Sequence, residues 1–90
     1  MISKKIAITN ISGLHIGASG RLVDEAVKYT NTTILFKYGG DHTGNAKSML
    51  SVLGANVKAG EEIELICDGP EEEKALLDLV ELIETNFGEY

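Results

Sequence analysis

The chain of 90 residues is poor in several residue types that other small domains depend on. It has one cysteine, which excludes an internal disulfide and any metal site built from several cysteines. It has no tryptophan, and proline occurs once. Uninterrupted apolar runs are short, so no segment is expected to span a membrane and we expect no membrane partner. The N-terminal sequence lacks the apolar core of a signal peptide, and we therefore expect a cytoplasmic protein.

Basic residues are also scarce. Lysine and arginine total 8 against 14 aspartate and glutamate residues, which gives a net charge of −6. An acidic surface repels phosphate backbones, and Lys4-Lys5 is the densest basic cluster, so we expect no nucleic-acid partner. The length and the 43% hydrophobic content fit one globular domain, which we expect to cover residues 1–90. The sequence contains no motif that points to a metal or a cofactor.

Four runs show the period-two alternation of half-buried strands. In the first run, Ile6 and Ile8 alternate with Lys5 and its neighbours. Gly39-Gly40 lies between the second and third runs and suits a tight hairpin turn, because glycine tolerates a positive φ. The predicted strands cover residues 2–9, 34–38, 41–46 and 61–67.

Helical spacing of apolar residues occurs in three places. The pattern predicts helices over about residues 16–29 and 47–53, and a third helix that ends at Glu84. For the third helix, Asp68 or Gly69 is expected to cap and Pro70 to occupy the first helical position. After Glu84 the helix is expected to fray.

These elements follow the order β-α-β-β-α-β-α. Four strands with two long helices need one covered sheet face, so the pattern predicts an α/β (α+β) sandwich with an antiparallel or mixed sheet and helices on one side. Asn56 suits the left-handed position after the second helix.

Residues 12–20 form the one candidate reactive site, because they place His15 between a turn and a helix start. Imidazole is nucleophilic near neutral pH, and the first-turn N–H groups of a helix favour anions. His15 is therefore a candidate phosphohistidine, with the amides of Ile16, Gly17 and Ala18 as donors to the phosphoryl oxygens. The alternative is that His15 caps the helix or completes the turn and has no chemical role.

Two local motifs resemble a known family. Gly13-Leu14-His15 is similar to the phosphorylated-histidine motif of HPr, the histidine-containing phosphocarrier of the bacterial phosphoenolpyruvate-dependent sugar phosphotransferase system. The segment from Asn45 to Leu53 is similar to the region around that family's regulatory serine. The resemblance covers nearly the whole chain, with about two extra residues near the hairpin. It implies an open-faced β-sandwich, with a four-stranded antiparallel sheet and three helices on one face.

The resemblance also implies a function and site residues. His15 would accept a phosphoryl group from Enzyme I and pass it to sugar-specific enzyme IIA domains, so the protein would be a relay and not an independent enzyme. Ser48 would be phosphorylated by HPr kinase/phosphorylase, and that form would bind a catabolite-repression regulator. An apolar partner-docking patch would consist of Ile16, Gly20, Met49, Leu50 and Leu53.

The chain departs from the family at two positions beside the histidine. The family usually has arginine and proline where this chain has Gly17 and Ala18. The missing arginine would supply a guanidinium group to the phosphoryl group. Arg21, one turn further on, either reaches back to replace it or is a solvated surface residue. The alternative function is therefore a mainly regulatory HPr-like paralogue in carbon catabolite repression, with weak phosphotransfer.

Histidine and cysteine often take part in catalysis or metal binding, but His42 and Cys67 are predicted to have structural roles. His42 follows the glycine turn and has no acidic or histidine neighbour at metal-ligand spacing, so we expect an exposed loop residue and no metal site. Cys67 shares a strand face with Ile63 and Leu65, and we expect a small buried residue. An independent hydrolase finds no support, because no Ser/His/Asp arrangement is present.

Overall fold

The computed structural model describes residues 1–88, which form four strands, three α-helices and a final 3₁₀ turn. In chain order they are β1 (Ile2–Ala7), α1 (Ile16–Ala26), β2 (Thr33–Tyr38), β3 (His42–Asn45), α2 (Met49–Ala55), β4 (Glu62–Asp68), α3 (Glu72–Glu84) and the 3₁₀ turn (Asn86–Gly88).

The four strands form one antiparallel sheet in the order β1-β4-β2-β3. Register places apolar residues opposite one another on one face: Ile6 pairs with Ile63, and Phe36 pairs with Leu65. The three helices cover this face and bury it. The predicted open-faced sandwich, with its element order and its antiparallel sheet, is confirmed.

The core lies between the sheet and the helices. Alternate residues of β4 are buried, Cys67 among them, as its shared face with Ile63 and Leu65 predicts. Burial raises the pKa of the Cys67 thiol to about 11, which keeps it protonated. The helices contribute the buried residues Ala18, Leu22, Ala26, Val52, Ala75, Leu79, Val80 and Ile83.

The glycine hairpin and the residue after α2 follow the sequence prediction. Gly39 and Gly40 have φ values of 57° and 88° and connect β2 to β3 as a hairpin. Asn56 follows α2 in the left-handed conformation, with a φ of 51°. Ser48 caps the start of α2, because its Oγ accepts a hydrogen bond from the Ser51 amide at 3.2 Å.

Several predicted element ends shift by one to three residues. The first helix ends at Ala26 and not near residue 29, because the amides of Lys28 and Tyr29 donate to carbonyls three residues back and tighten the last turn. The second helix covers Met49–Ala55 where 47–53 was predicted, since Ser48 is its cap. The first strand ends two residues before its predicted end, and the bounds of the other three strands differ from the predicted ones by one residue.

The predicted start of the third helix is wrong. The helix begins at Glu72, and Pro70 lies in the turn before it. Gly69 has a φ of 152° and passes so close to Thr32 that an added Cβ would lie 2.7 Å from its Cα. The Glu71 amide donates to Thr32 Oγ1 at 3.0 Å. These contacts with the preceding loop delay the helix, and the Glu72 carboxylate accepts from the Gly69 amide, which lowers the pKa of Glu72.

The end of the described chain does not fray. After Glu84 the chain turns back through the 3₁₀ turn, and Phe87 is buried in the core. Thr9 Oγ1 donates a hydrogen bond to Asn86 Oδ1 at 2.7 Å, which ties this turn to the loop after β1. A buried aromatic ring stabilises the turn more than solvation of a frayed end would. Residues 89 and 90 of the predicted tail lie outside the described residues.

Candidate functional site

His15 is the N-cap residue of α1. Its backbone is extended, with φ −76° and ψ −176°, and its carbonyl accepts the first helical hydrogen bond, from the Ser19 amide at 2.8 Å. Its Nδ1 atom accepts a hydrogen bond from the Gly17 amide, also at 2.8 Å. His15 thus caps the helix, and the cap places a ring nitrogen directly at the start of α1.

The residues before His15 hold it in place. The chain makes a tight turn in which the Gly13 amide donates to the Asn10 carbonyl, and Asn10 Nδ2 donates back to the Gly13 carbonyl at 2.8 Å. Gly13 has a φ of 62°, and an added Cβ would lie 2.7 Å from the Val57 carbonyl oxygen, so only glycine fits. Leu14 is buried, and its carbonyl accepts from Ser19 Oγ at 2.9 Å. The turn and the buried leucine therefore present His15 at the surface.

The amides of residues 16–18 belong to the first turn of α1, which directly follows this histidine. They precede the first backbone hydrogen bond of α1, so the helix supplies no carbonyl to them. The Gly17 amide donates to His15 Nδ1. Ala18 is fully buried, whereas the side chain of Ile16 points to solvent. The first turn of α1 thus brings one of the three predicted donors, the Gly17 amide, into contact with the His15 ring.

Arg21 fits neither of the two roles considered from the sequence. Its Nη1 donates a hydrogen bond to the Phe87 carbonyl, so the guanidinium group holds the 3₁₀ turn against α1. The side chain is exposed but it has a specific partner. The sequence could not reveal this contact, because the two residues are 66 positions apart.

An apolar surface lies next to the histidine, since α1 packs beside α2. Ile16 is 72% exposed and Leu50 is 86% exposed. Gly20, Met49 and Leu53 are partly exposed. All the predicted docking residues are thus accessible to some degree.

The sequence analysis did not identify Ile11 as an exposed apolar residue near His15. Its side chain is 91% exposed at the outer side of the turn before His15. The available signal was its position: an isoleucine inside a four-residue turn, between Asn10 and Gly13, cannot reach the core.

Ser48 lies at the start of α2 and is partly exposed. Its Oγ is the capping atom of that helix. The preceding Lys47 is held away from it, because Lys47 Nζ donates to the Tyr29 carbonyl at 2.5 Å. Ser48 is followed directly by Met49 and Leu50, so a group added to Ser48 would change the predicted docking patch.

A polar cluster lies at the other end of α1, where it meets α3. The Tyr29 hydroxyl donates to the Asp78 carboxylate, which Lys74 Nζ also contacts at 3.0 Å. Burial, followed by the nearby Asp78, raises the pKa of Tyr29 to about 12. The same hydroxyl, followed by Lys74, lowers the pKa of Asp78. This cluster lines a surface depression of about 650 Å³ and contains no predicted site residue.

His42 is exposed in the hairpin, as predicted, and its ring stacks on Tyr38 with centroids 5.4 Å apart. Among residues 1–88, no three His, Cys, Asp or Glu side chains are grouped so that they could hold a metal ion. Over the same residues, no helix has the length and apolar character needed to cross a membrane.

Comparison with known proteins gives matches over the full chain. The family model for the HPr component phosphorylation site of the phosphotransferase system (PTS) matches residues 2–85. The phosphocarrier protein HPr of Xylella fastidiosa is 34% identical over 89 residues, which are 99% of this chain and 98% of that protein.

Two solved structures extend the comparison. A crystal structure of HPr from Thermoanaerobacter tengcongensis is 33% identical and has a TM-score of 0.94, covering 100% of this chain and 99% of that chain. The catabolite repression containing protein Crh of Bacillus subtilis is 27% identical, with a TM-score of 0.73 and coverage of 96% and 97%.

The fold and these full-length matches define the class: a small domain that carries a phosphoryl group and is not itself a catalyst. The chain belongs to the HPr family, the phosphocarrier proteins of the phosphotransferase system. Membership implies phosphoryl-transfer partners of that system, such as Enzyme I and enzyme IIA.

Proposed function

We propose that this protein relays a phosphoryl group from Enzyme I to a sugar-specific enzyme IIA, and that His15 is the acceptor. The observation that carries the proposal is the hydrogen bond of 2.8 Å from the Gly17 amide to His15 Nδ1. It places a ring nitrogen at the amide-rich end of an eleven-residue helix, where a negative group is favoured.

The same hydrogen bond supports Nδ1 as the reacting atom. In the neutral ring one nitrogen is a donor and the other an acceptor, so Nδ1 carries the lone pair and Nε2 carries the proton. In the transfer, the Gly17 amide releases Nδ1, and the Nδ1 lone pair forms a bond to phosphorus while the bond between phosphorus and the donor breaks. The electron pair of that broken bond stays on the donor. The amides of Ile16, Gly17 and Ala18 then donate to the phosphoryl oxygens.

The exposed apolar residues beside His15 supply the surface for the partners. Exposed apolar patches on small monomeric domains mark interaction sites. Ile16 and Leu50 are the most exposed members of the predicted patch. A partner seated on them would bring its own phosphoryl group or acceptor close to His15.

Ser48 is proposed as the regulatory acceptor for HPr kinase/phosphorylase. A phosphate on Oγ would add a charge of about −1.5 to −2 at pH 7, beside Met49 and Leu50. That charge would repel an acidic, phosphorylated partner from the docking patch. The phosphorylated form would instead bind a catabolite-repression regulator.

A mainly regulatory role is the second candidate, and one observation favours it. Gly17 stands where the family usually has arginine, and Arg21 donates to the Phe87 carbonyl. The first turn of α1 therefore offers amides to the phosphoryl group without a nearby guanidinium group. The likeness to Crh, whose name refers to catabolite repression, agrees with this candidate.

The two histidines of the chain allow a matched test of the acceptor. Incubation with phosphoenolpyruvate and Enzyme I is expected to give acid-labile phosphate in the unaltered protein and in His42→Ala, and none in His15→Ala. Acid-labile phosphate in His15→Ala would refute the assignment. No phosphate in the unaltered protein, together with acid-stable phosphate after treatment with ATP and the kinase, would favour the regulatory role.

The serine assignment needs its own control. With ATP and HPr kinase/phosphorylase, we expect acid-stable phosphate in Ser51→Ala and its loss in Ser48→Ala. Ser51 lies in the same helix and contributes only its backbone amide to the cap, so its side chain is a suitable control. Retention of phosphate in Ser48→Ala would contradict the assignment.

A further inference from the structure

We propose that Lys58 is a phosphoryl-binding residue of this protein: its ammonium group contacts the phosphoryl group on His15 and supplies the positive charge that Gly17 does not. The inference rests on the proposed role of His15 as the phosphoryl acceptor. It deepens that role, because it names a side chain from another part of the chain that balances the charge of the transferred group.

The two segments that form the site contain no permanently charged side chain. Residues 10–20 and residues 48–57 include no lysine, arginine, aspartate or glutamate. A phosphoryl group adds a charge of about −1.5 to −2 at pH 7, and the chain already has a net charge of −6. The first-turn amides of α1 offer only partial positive charges. A full positive charge from another element would therefore stabilise the phosphorylated histidine.

Lys58 lies directly against the turn that presents His15. A Cβ added to Gly13 would lie 2.9 Å from Lys58 Cα. The Leu14 amide donates to the Val57 carbonyl at 2.9 Å, so this loop packs on both residues that precede the histidine. Two residues of chain span at most about 7 Å, and a lysine side chain extends about 6 Å from its Cα. The ammonium group of Lys58 therefore has the length to reach a group bonded to the His15 ring.

The basic residues on or beside the helices are already engaged. Arg21 and Lys47 each donate to a backbone carbonyl. Lys28 and Lys74 each pair with an acidic residue one turn away. Lys58, by contrast, is exposed, and its ammonium group forms no hydrogen bond or ion pair within residues 1–88. It is therefore available to an incoming phosphoryl group.

The backbone of Lys58 is held in place while its side chain stays flexible. Glu61 Oε1 accepts a hydrogen bond from the Lys58 amide at 2.6 Å, and the Glu61 amide donates to the Lys58 carbonyl at 3.1 Å. These two bonds close a turn over residues 58–61 and occupy the Glu61 carboxylate with a backbone group. Only the four-carbon stem of the lysine has to move when a phosphoryl group arrives.

The transfer reaction tests the charge of Lys58. We expect Lys58→Gln to slow phosphorylation of His15 by phosphorylated Enzyme I about fivefold at low salt, and less at high salt, because an exposed charge pair is partly screened. Lys58→Arg keeps the charge and should restore most of the rate. Lys37→Gln is the matched control, since it removes the same charge from the sheet face that points away from the helices. Equal rates in Lys58→Gln and Lys37→Gln would overturn the inference.

A second measurement needs no Enzyme I. Phosphoramidate, a small-molecule donor that releases ammonia, is used to phosphorylate His15, and the second pKa of the phosphoryl group, ordinarily about 6, is followed by its ³¹P chemical shift. A nearby ammonium group favours the dianion and lowers this pKa. Lys58→Gln should therefore raise it by about 0.5, and Lys37→Gln should leave it unchanged. The same pKa in Lys58→Gln and the unaltered protein would overturn the inference.

The two measurements separate the inference from the proposed function. Phosphate on His15 with equal rates and equal pKa values in all variants overturns the role of Lys58 and leaves the relay intact. Phosphate from phosphoramidate but none from Enzyme I overturns the relay, and the ³¹P titration still decides the role of Lys58. No phosphate on His15 from either donor overturns both.

Discussion

A side chain caps the start of α1 and another caps the start of α2, but the two residue types differ. His15 caps α1 through Nδ1 and Ser48 caps α2 through Oγ. In both places the capping atom is also the proposed phosphoryl acceptor. Phosphorylation at either site therefore changes the hydrogen bonding of a helix start, and the amide that served the cap gains a phosphoryl oxygen as a possible acceptor.

The two caps differ in what they require from their neighbours. A serine hydroxyl is small, so Ser48 caps with Met49 and Leu50 as ordinary helical residues. An imidazole ring is wide, and a Cβ at residue 17 would lie 2.8 Å from Cε1 of the His15 ring. The comparison teaches that the ring of the histidine cap lies against residue 17 of its own helix, whereas the small hydroxyl of the serine cap leaves its helical neighbours free of such a contact.

The largest expected effect concerns charge at the α1 start. Because a Cβ at residue 17 requires the His15 ring to shift, the contribution of an arginine must be measured against alanine. We expect Gly17→Arg to transfer phosphate at least about tenfold faster than Gly17→Ala, since a charge-assisted hydrogen bond contributes about 1.5–3 kcal/mol. Initial rates with phosphorylated Enzyme I give the comparison. Equal rates in the two variants would show that a guanidinium group at this position contributes nothing.

Arg21→Ala tests whether the α1 start already has a cation. The guanidinium group donates to the Phe87 carbonyl, so its loss should lower the free energy of unfolding by about 1 kcal/mol and leave the transfer rate unchanged. Urea unfolding and the Enzyme I assay measure the two quantities. A slower transfer with unchanged stability would mean that Arg21 serves the phosphoryl group instead.

A negative charge at the start of α2 should slow phosphoryl transfer to His15 at the start of α1. Ser48→Asp places a carboxylate beside the docking patch, and we expect transfer to His15 to slow about threefold by Coulomb repulsion of the phosphorylated partner. Ser48→Asn is the matched control, because asparagine caps a helix as well as aspartate does and carries no charge. A slowing of the same size in both variants would attribute the effect to the cap and not to the charge.

A substitution at the C-terminal end of α1 should affect stability but neither of the two capped helix starts. Tyr29→Phe removes the hydrogen bond to Asp78, and we expect a loss of about 0.5 kcal/mol in the free energy of unfolding near pH 7. The pKa of Asp78 in the folded protein is lower than its value of about 4 in the unfolded chain. The contribution of Asp78 to the free energy of unfolding is therefore complete above pH about 4 and is lost as the pH falls through the lower, folded pKa.

The tyrosine sets the other limit of this pH window. Its pKa is raised from 10.0 to about 12, so its contribution is full below pH 10 and is lost as the pH rises through 12. The stability difference between Tyr29→Phe and the unaltered protein should therefore be largest between these limits. A difference that does not vary with pH would show that Tyr29 and Asp78 do not interact.

The sequence predicts those parts of the fold that depend on local chemistry. Hydrophobic periodicity is enough for the four strands and the three helices. The cap at Ser48, the glycine hairpin and the left-handed Asn56 each follow from what one residue type prefers. The position of His15 at a helix start belongs to this group as well.

The errors arise where distant residues meet. The third helix starts late because Gly69 and Glu71 contact Thr32, almost forty positions away in the chain. The tail folds back because Phe87 finds space in the core. The relation between Gly17 and the His15 ring is local in sequence, yet it depends on a ring rotamer, which periodicity and residue preference do not determine.

The most direct test of the account is to identify the atom that receives phosphorus. The ¹⁵N-labelled protein is phosphorylated with phosphoenolpyruvate and Enzyme I, and one-bond coupling between phosphorus and nitrogen is recorded. The account predicts a coupling to Nδ1 of His15, the atom that the Gly17 amide holds in the unphosphorylated protein. Phosphorus on Nε2 of His15, or on any other residue, would contradict it.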